Sequence, residues 1–341
     1  MRTISVVNQK GGCGKTITAV NLAAGLSRKG LRVLLVDFDP QAHATFALGK
    51  ENALDITGIL EQISQKGAPS LENLYVQISD TLYFIPSSIG LVTLEQRKLA
   101  NSENKLEVLS TLLNQISENF DYCIIDCPPN LGLLTLNAMV ASQYSIIPMT
   151  ICDFSLRGVE LIKNIFVMLK EFRGLAPVPF YLLNQVDTRS RYAQEFIGRV
   201  KDQLGDLLLN SPIRANIHLK EAASNHKHIF DYRADSRGAM DFQSLAEEVV
   251  MLTHQTNWTP LFVKSKAMNA VYVVGDFTNW QKDEKFRLRK AGEDIWSINV
   301  ALGKGRWRYK FVDGDNWFAD PLNKESESDP FGGKHSVLVV E

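Results

Sequence analysis

Up to about residue 255 the chain alternates between two textures, and that alternation limits what it can fold into. Short β-branched runs (TISVVN, RVLLVDFD, TLYFIPS, YCIIDCPP, YSIIPMT and FYLLNQVD) are apolar at successive positions. A strand apolar on both faces must be covered on both, as in a parallel sheet lying between helices. Between these runs the spacing is helical, for example at Leu156, Val159, Leu161, Ile162, Ile165, Phe166 and Leu169. The expected class is α/β, a doubly wound and mostly parallel sheet. With 341 residues, 45% of them hydrophobic, the chain has room for a full core and a second domain.

After the helical stretch LAEEVVMLTHQ the texture changes. From Leu261 onward the strands NAVYVVGDF, DIWSINVAL, RWRYKFVDG and HSVLVVE are bounded by Gly, Asn and Asp turns. That pattern predicts a small all-β antiparallel sandwich. The expected organisation is an α/β domain over 1–255, a linker over 256–260 and a sandwich over 261–341.

Charge gives no overall pull toward nucleic acid or acidic lipid, because 37 basic residues face 38 acidic ones. No apolar run reaches membrane-spanning length, and the first strand begins at Arg2, which leaves no room for a signal peptide. A cytoplasmic protein without membrane insertion is expected. Cys13, Cys123, Cys127 and Cys152 show neither metal-site spacing nor a disulfide framework, so they read as buried thiols in a reducing compartment.

The chemistry concentrates in KGGCGKT, which follows a strand and opens a helix. Backbone N–H groups of Gly11, Gly12, Cys13 and Gly14, with the positive end of the helix, suit the β- and γ-phosphates of a nucleotide. Lys15 would neutralise phosphate charge, and the Thr16 hydroxyl would ligate Mg²⁺. The ordinary phosphate-loop pattern nevertheless fails, because Gln9 stands at its first glycine. Lys10 therefore has no role in the plain version. Asp37 and Asp39 lie at the end of one strand, and Asp126 at the end of another, where open α/β sheets bind ligands. Asp126 suits holding Mg²⁺ through water.

Together, KGGCGKT, DFDPQAHAT and IIDCPP resemble the ParA/MinD family of deviant Walker ATPases, on its ParA side. The resemblance runs on through NQVD to KEAASNHKHIFDYRADSRGAMDFQSLAEEV, over roughly residues 1–255. It implies an ATP- and Mg²⁺-dependent homodimer in which Lys10 reaches the partner's phosphates. It also implies that Asp39 orients the attacking water, that Asp37 and Asp126 surround Mg²⁺, and that Asn184 contacts adenine. The loop Pro212 to Arg214 would close over the base. Turnover would be slow until a partner protein stimulates it. Relatives bind DNA non-specifically through surface cations, for which Arg189, Arg191, Lys201 and Arg237 are the candidates here, and that would make the protein nucleoid-associated. Asp187 and Glu195 dilute that stretch.

The second segment resembles the glycogen- and starch-binding module of the AMP-activated kinase β subunit, an immunoglobulin-like early-set sandwich. VYVVGDFTNWQ, GRWRYKFVDGDNWFADP and FGGKHSVLVV carry the likeness. It implies that Trp280 and Trp317 stack on glucose rings, that Lys310 hydrogen-bonds them and that Phe331 pokes the sugar chain. His335 stands where that module has Asn. Two readings stay open: the sandwich binds an α-glucan, or it docks a protein while the ATPase gates assembly.

Overall fold

The computed structural model describes residues 1–341 apart from 52, 54, 66, 68–70, 255, 256, 266, 267, 291–293, 330, 331 and 341. Its elements divide between two compact units, each with its own sheet structure. The first comprises Met1–Ile151, Pro179–Gln194 and Leu209–Val250, and the second Cys152–Val178, Glu195–Leu208 and Met251–Glu341.

In the first unit the apolar runs form β1 (Arg2–Val6), β2 (Val33–Asp37), β3 (Val76–Gln77), β4 (Leu82–Ile85), β5 (Tyr122–Asp126), β6 (Tyr144–Met149) and β7 (Val178–Leu183). They make a sheet of order β3-β4-β2-β5-β1-β6-β7. Strands β4, β2, β5, β1 and β6 pair in parallel, and the short edge strand β3 is antiparallel to β4. Residues of β2, β5 and β6 are buried throughout, as their double-faced apolarity requires.

The strands alternate with helices α1 (Lys15–Ser27), α2 (His43–Ala47), α3 (Thr57–Ser64), α4 (Gly90–Thr93), α5 (Val108–Gln115) and α6 (Leu133–Val140). Beyond these come α7 (Asp153–Arg173), α8 (Arg191–Leu204), α9 (Ile217–Ser224), α10 (Ile229–Arg233) and α11 (Arg237–His254). Among the described residues no helix is long and apolar enough to cross a membrane.

One register decides where chemistry can happen. Strands β2, β5 and β1 are neighbours, and Asp37 and Val6 both pair with Asp126. The three strands therefore end at one level, and the loops that follow them emerge side by side.

In the second unit β8 (Trp258–Lys264), β10 (Arg289–Lys290) and β11 (Ile295–Ala301) form one antiparallel sheet. A second sheet is centred on β12 (Gly305–Asp313), which pairs with β9 (Val271–Gly275), β13 (Asn316–Phe318) and β15 (Lys334–Val340). Strand β14 (Ser326–Ser328) borders β15. Leu261, Val273, Trp296, Tyr309 and Phe311 lie in the core between the sheets, with Trp307 packed against it. Trp258, Thr259 and Pro260, expected in the linker, are already strand, paired with Ala301, Val300 and Asn299. Residue 256 of that linker lies outside the described residues.

Helix α7 belongs to this second unit. Phe166 stacks on Phe262 of β8, ring centroids 6.4 Å apart. Lys170 is buried, which pulls its ammonium below the ordinary lysine range, while the nearby Asp320 carboxylate opposes the shift.

Candidate nucleotide site and glycan face

The loop after β1 is shaped by residues from β6 and the end of β7. Asn8 donates from Nδ2 to the Pro148 carbonyl at 2.6 Å and accepts from Lys10 N–H at 3.0 Å. Gly12 and Gly14 take left-handed φ values of 74° and 90°. Gly14 admits no side chain, since a Cβ there would lie 2.3 Å from Asn184 Nδ2. The Asn184 amide donates to the Cys13 carbonyl at 2.8 Å and accepts from Gln185 N–H at 2.8 Å. Gln185 Nε2 donates to the Gly12 carbonyl at 2.9 Å. These two side chains, reaching across from the end of β7, brace the loop. Gln185 went unnoticed in the sequence, although its place beside Asn184 was the available signal.

A cavity of about 530 Å³ opens above this loop, lined by Gly11, Gly12, Gly14, Lys15, Thr16 and Asp39 among others. Its volume is in the range of small-molecule sites. A second cavity, of about 270 Å³, adjoins it and is lined by Gly14, Ile17, Asn184, Arg214 and Ile217 among others. Cys13 is buried. Lys15 is only 8% exposed and sits at the first turn of α1. Lys10 behaves differently: it is exposed, it is not a lining residue of either cavity, and its ammonium donates to the Thr150 hydroxyl at 3.2 Å.

The three aspartates divide by what holds them. Asp37 accepts from Thr45 N–H (2.8 Å), the Thr45 hydroxyl (2.7 Å) and Asp39 N–H (3.2 Å). Its carboxylate is engaged in anchoring α2. Asp39 accepts from Gln41 N–H at 2.9 Å, and its carbonyl takes the Ser87 hydroxyl at 2.7 Å, leaving one carboxylate oxygen for the cavity. Asp126 is fully buried, and among the described residues neither of its oxygens makes a hydrogen bond of good geometry, although the Thr16 hydroxyl is near enough to favour its charged form. Burial, reinforced by the Asp37 charge, holds its carboxyl well above the ordinary range. A buried carboxylate close to the Thr16 hydroxyl and the Lys15 ammonium, with no well-made hydrogen bond of its own, is suited to a divalent cation.

Of the two base-loop residues, Arg214 lines the smaller cavity, and its guanidinium is held by Asp241 at 2.5–3.1 Å. Pro212 is exposed and outside both linings. The DNA candidates are surface residues. Arg189 is paired with Asp187, Arg191 opens α8, Lys201 lies in its last turn, and Arg237 opens α11, all of them exposed.

The second unit collects most of the sugar candidates on one face. Tyr309 and Phe311 point into the core, so Lys310 between them faces away from it. Trp317 pairs with Val312 on that same outer face. Ser336 pairs with the inward Tyr309, so its neighbour His335 also turns outward. Trp317 is 43% exposed, whereas His335 is 5% exposed and lies against the Trp280 ring with centroids 5.7 Å apart. Trp280 takes φ 60°, directly after Asn279 at φ 51°. Its Nε1 donates to Asp276 at 3.2 Å, and Asp276 also accepts from Arg308 Nε at 3.0 Å. The Lys310 ammonium is ion-paired with the buried Asp329 carboxylate. Asp276 and Asp329 were not singled out from the sequence, where an acid near a turn looks ordinary. Phe331 lies outside the described residues.

Comparison with known proteins finds relatives of both segments of the chain. A family described as an AAA domain matches residues 1–174, and the glycogen recognition site of AMP-activated protein kinase matches residues 261–341. The sporulation initiation inhibitor protein Soj of Bacillus subtilis is 36% identical over 249 residues, covering 73% of this chain and 98% of that protein. The chromosome partitioning protein ParA of Myxococcus xanthus is 34% identical, covering 73% and 88%. Among solved structures, the cobyrinic acid a,c-diamide synthase of Mycobacterium smegmatis with bound ADP and magnesium superposes with a TM-score of 0.61 at 27% identity, over 74% of this chain and 94% of that one. The septum site-determining protein MinD of Pyrococcus horikoshii, complexed with Mg-ADP, gives 0.57 at 25% identity, over 73% and 95%. The chain belongs to the ParA/Soj family of P-loop ATPases, and its C-terminal segment is a module of the AMP-activated-kinase glycogen-recognition type.

Proposed function

We propose that this protein is an ATP-driven dimerisation switch that positions a cargo, and that its sandwich connects the switch to an α-glucan. The observation that carries the first half is the division of labour between the two lysines. Lys15 lies inside the cavity, and Lys10 lies outside it on the loop's exposed side. In this reading Lys15 and the loop N–H groups hold the protein's own nucleotide, Lys10 meets the nucleotide of a second copy, and ATP joins the two. The smaller cavity takes the adenine, beside Asn184 and Arg214.

Thr16 and Asp126 would hold Mg²⁺, with Asp37 orienting the region through Thr45. The ion, when bound, draws charge from the β- and γ-phosphates. Asp39 keeps one oxygen toward the cavity, where it can orient water for attack. A stimulating partner protein would then set the timing of hydrolysis.

The glucan half rests on Lys310 and Trp317 on the outer face of the second sheet and on Trp280, whose ring lies against the outward-turned His335. Indoles stack on the C–H faces of glucose rings, and polar groups between them take the hydroxyls. Because α7 packs into the same unit, the test uses the full chain. It should sediment with glycogen or bind malto-oligosaccharides with a change in tryptophan fluorescence. Trp280→Ala and Trp317→Ala should each lose about 1–3 kcal/mol, by analogy with stacking aromatics under bases. No response to any glucan at millimolar concentration would leave the sandwich as a protein-docking module.

Non-specific DNA is the track this reading assigns to the ATP-bound dimer. Duplex of any sequence should then bind only with ATP, with an affinity falling steeply as salt rises. Arg237→Ala and Lys201→Ala should each reduce the slope by about one. Binding that ignores salt or nucleotide would remove DNA from the mechanism.

A further inference from the structure

The larger cavity has a second cationic wall that the phosphate loop does not account for. Besides Gly11 and Lys15 it is lined by Lys220, Ala223 and Lys227 from α9 and the turn after it. Lys220 also borders the smaller cavity and so stands where the two meet. Neither lysine forms an ion pair among the described residues. The nearby acids are engaged elsewhere: Glu221 is held by His218 at 2.8 Å and Tyr232 at 3.2 Å, and Asp231 by His228 at 3.1 Å. Two exposed lysines therefore line a cavity in which, among the described residues that line it, the one carboxylate is the buried Asp39.

Their placement is fixed by a built turn. Helix α9 ends with His226 in the left-handed region at φ 57°, and Lys227 N–H donates to the Ala222 carbonyl at 3.0 Å. That is the hydrogen bond of a helix-closing turn in which glycine is the usual residue. A histidine stands there because its ring is used. Nδ1 meets the Phe46 carbonyl of α2 at 2.7 Å, and the ring sits edge-on to the Phe46 ring, centroids 5.0 Å apart. On the other side, Ile229 N–H donates to Asn21 Oδ1 of α1 at 2.8 Å. Lys227 is thus pinned between a fastening to α2 and a fastening to α1. A non-glycine residue held at positive φ is strained, and the two fastenings hold that turn, and with it Lys227, at the edge of the cavity.

We propose that Lys220 and Lys227 bind the anionic portion of the nucleotide from the α9 wall of the cavity, so that its phosphates meet cations from α9 as well as from the glycine loop. This rests on the ATPase reading above. Charge-assisted hydrogen bonds to phosphate oxygens are the contacts two ammonium groups at such a position make.

Titration calorimetry of the full chain with MgATP, MgADP and adenosine tests it. The double variant Lys220→Ala/Lys227→Ala should weaken MgATP binding by about tenfold or more, MgADP by less, and adenosine not at all. Lys220→Arg/Lys227→Arg should restore most of the MgATP affinity, because it returns both charges. Double-alanine binding of MgATP within about twofold of wild type would overturn the proposal. So would an equal loss for adenosine, which carries no phosphate. Lys15→Ala separates the two layers. If it binds MgATP as wild type does, the ATPase reading falls and this inference falls with it. If binding needs Lys15 but is indifferent to Lys220 and Lys227, only this inference falls.

Discussion

Asp39→Ala is expected to bind MgATP and to assemble into the ATP-joined dimer, while hydrolysis falls by on the order of a hundredfold or more. The argument is geometric. Asp39 is buried at 4% exposure, its carbonyl is tied to the Ser87 hydroxyl, and one carboxylate oxygen is tied to Gln41 N–H. Asp39 lines the cavity, and the two hydrogen bonds fix its backbone and one carboxylate oxygen. A group that orients water acts in the transition state more than in the ground state, so its loss should show in kcat with little change in nucleotide affinity. Equilibrium binding, light scattering and phosphate release, measured on one preparation, separate the three quantities. If the variant fails to bind MgATP, Asp39 is a binding residue and the assignment of water to it is wrong.

Lys10→Ala should separate binding from assembly in the opposite sense. Lys10 lines neither cavity and extends toward Thr150 on the loop's exposed side, so its removal should leave the affinity for MgATP within a few-fold of wild type. The ATP-dependent dimer should be lost from light scattering, and most of the hydrolysis with it, because the second copy's phosphates lose their cation. Lys15→Ala, by contrast, should lose nucleotide at once, since that ammonium sits at the cavity floor beside the start of α1. A Lys10→Ala chain that dimerises and turns over normally would make Lys10 an ordinary loop residue and remove the cross-dimer reading.

Much of the candidate nucleotide site was legible because its determinants are local. A glycine-rich turn between an apolar strand and a helix, followed by Lys15 and Thr16, announces an anion site within eight residues of sequence. Acids at strand ends, Asp37, Asp39 and Asp126, follow from the same reasoning. The sandwich was legible because alternation with period two and turn residues at short spacing are also local signals.

The rest depended on which strands became neighbours and which faces met. No local pattern says that β2 and β1 flank β5, yet that order and register are what bring Asp37 beside Asp126. From sequence the two acids look equivalent. In the structure Thr45 engages Asp37, whereas among the described residues neither oxygen of Asp126 makes a hydrogen bond of good geometry. His335 reads as a sugar-facing residue, and its strand register does turn it outward, but the Trp280 ring lies against it and leaves it 5% exposed. The helical spacing of α7 was plain, whereas its packing against β8 through Phe166 and Phe262 was not.

Sequence by itself determined the periods, the turns and the chemical groups, because each is set by a residue and its near neighbours along the chain. Tertiary structure alone decided which carboxylate Thr45 engages, which lysine lines the cavity and which stays outside it, and what covers each ring. Those outcomes depend on contacts between residues far apart in sequence, such as the 171 positions separating Asn184 from the Cys13 carbonyl it braces, and hydrophobic periodicity carries no information about that partner.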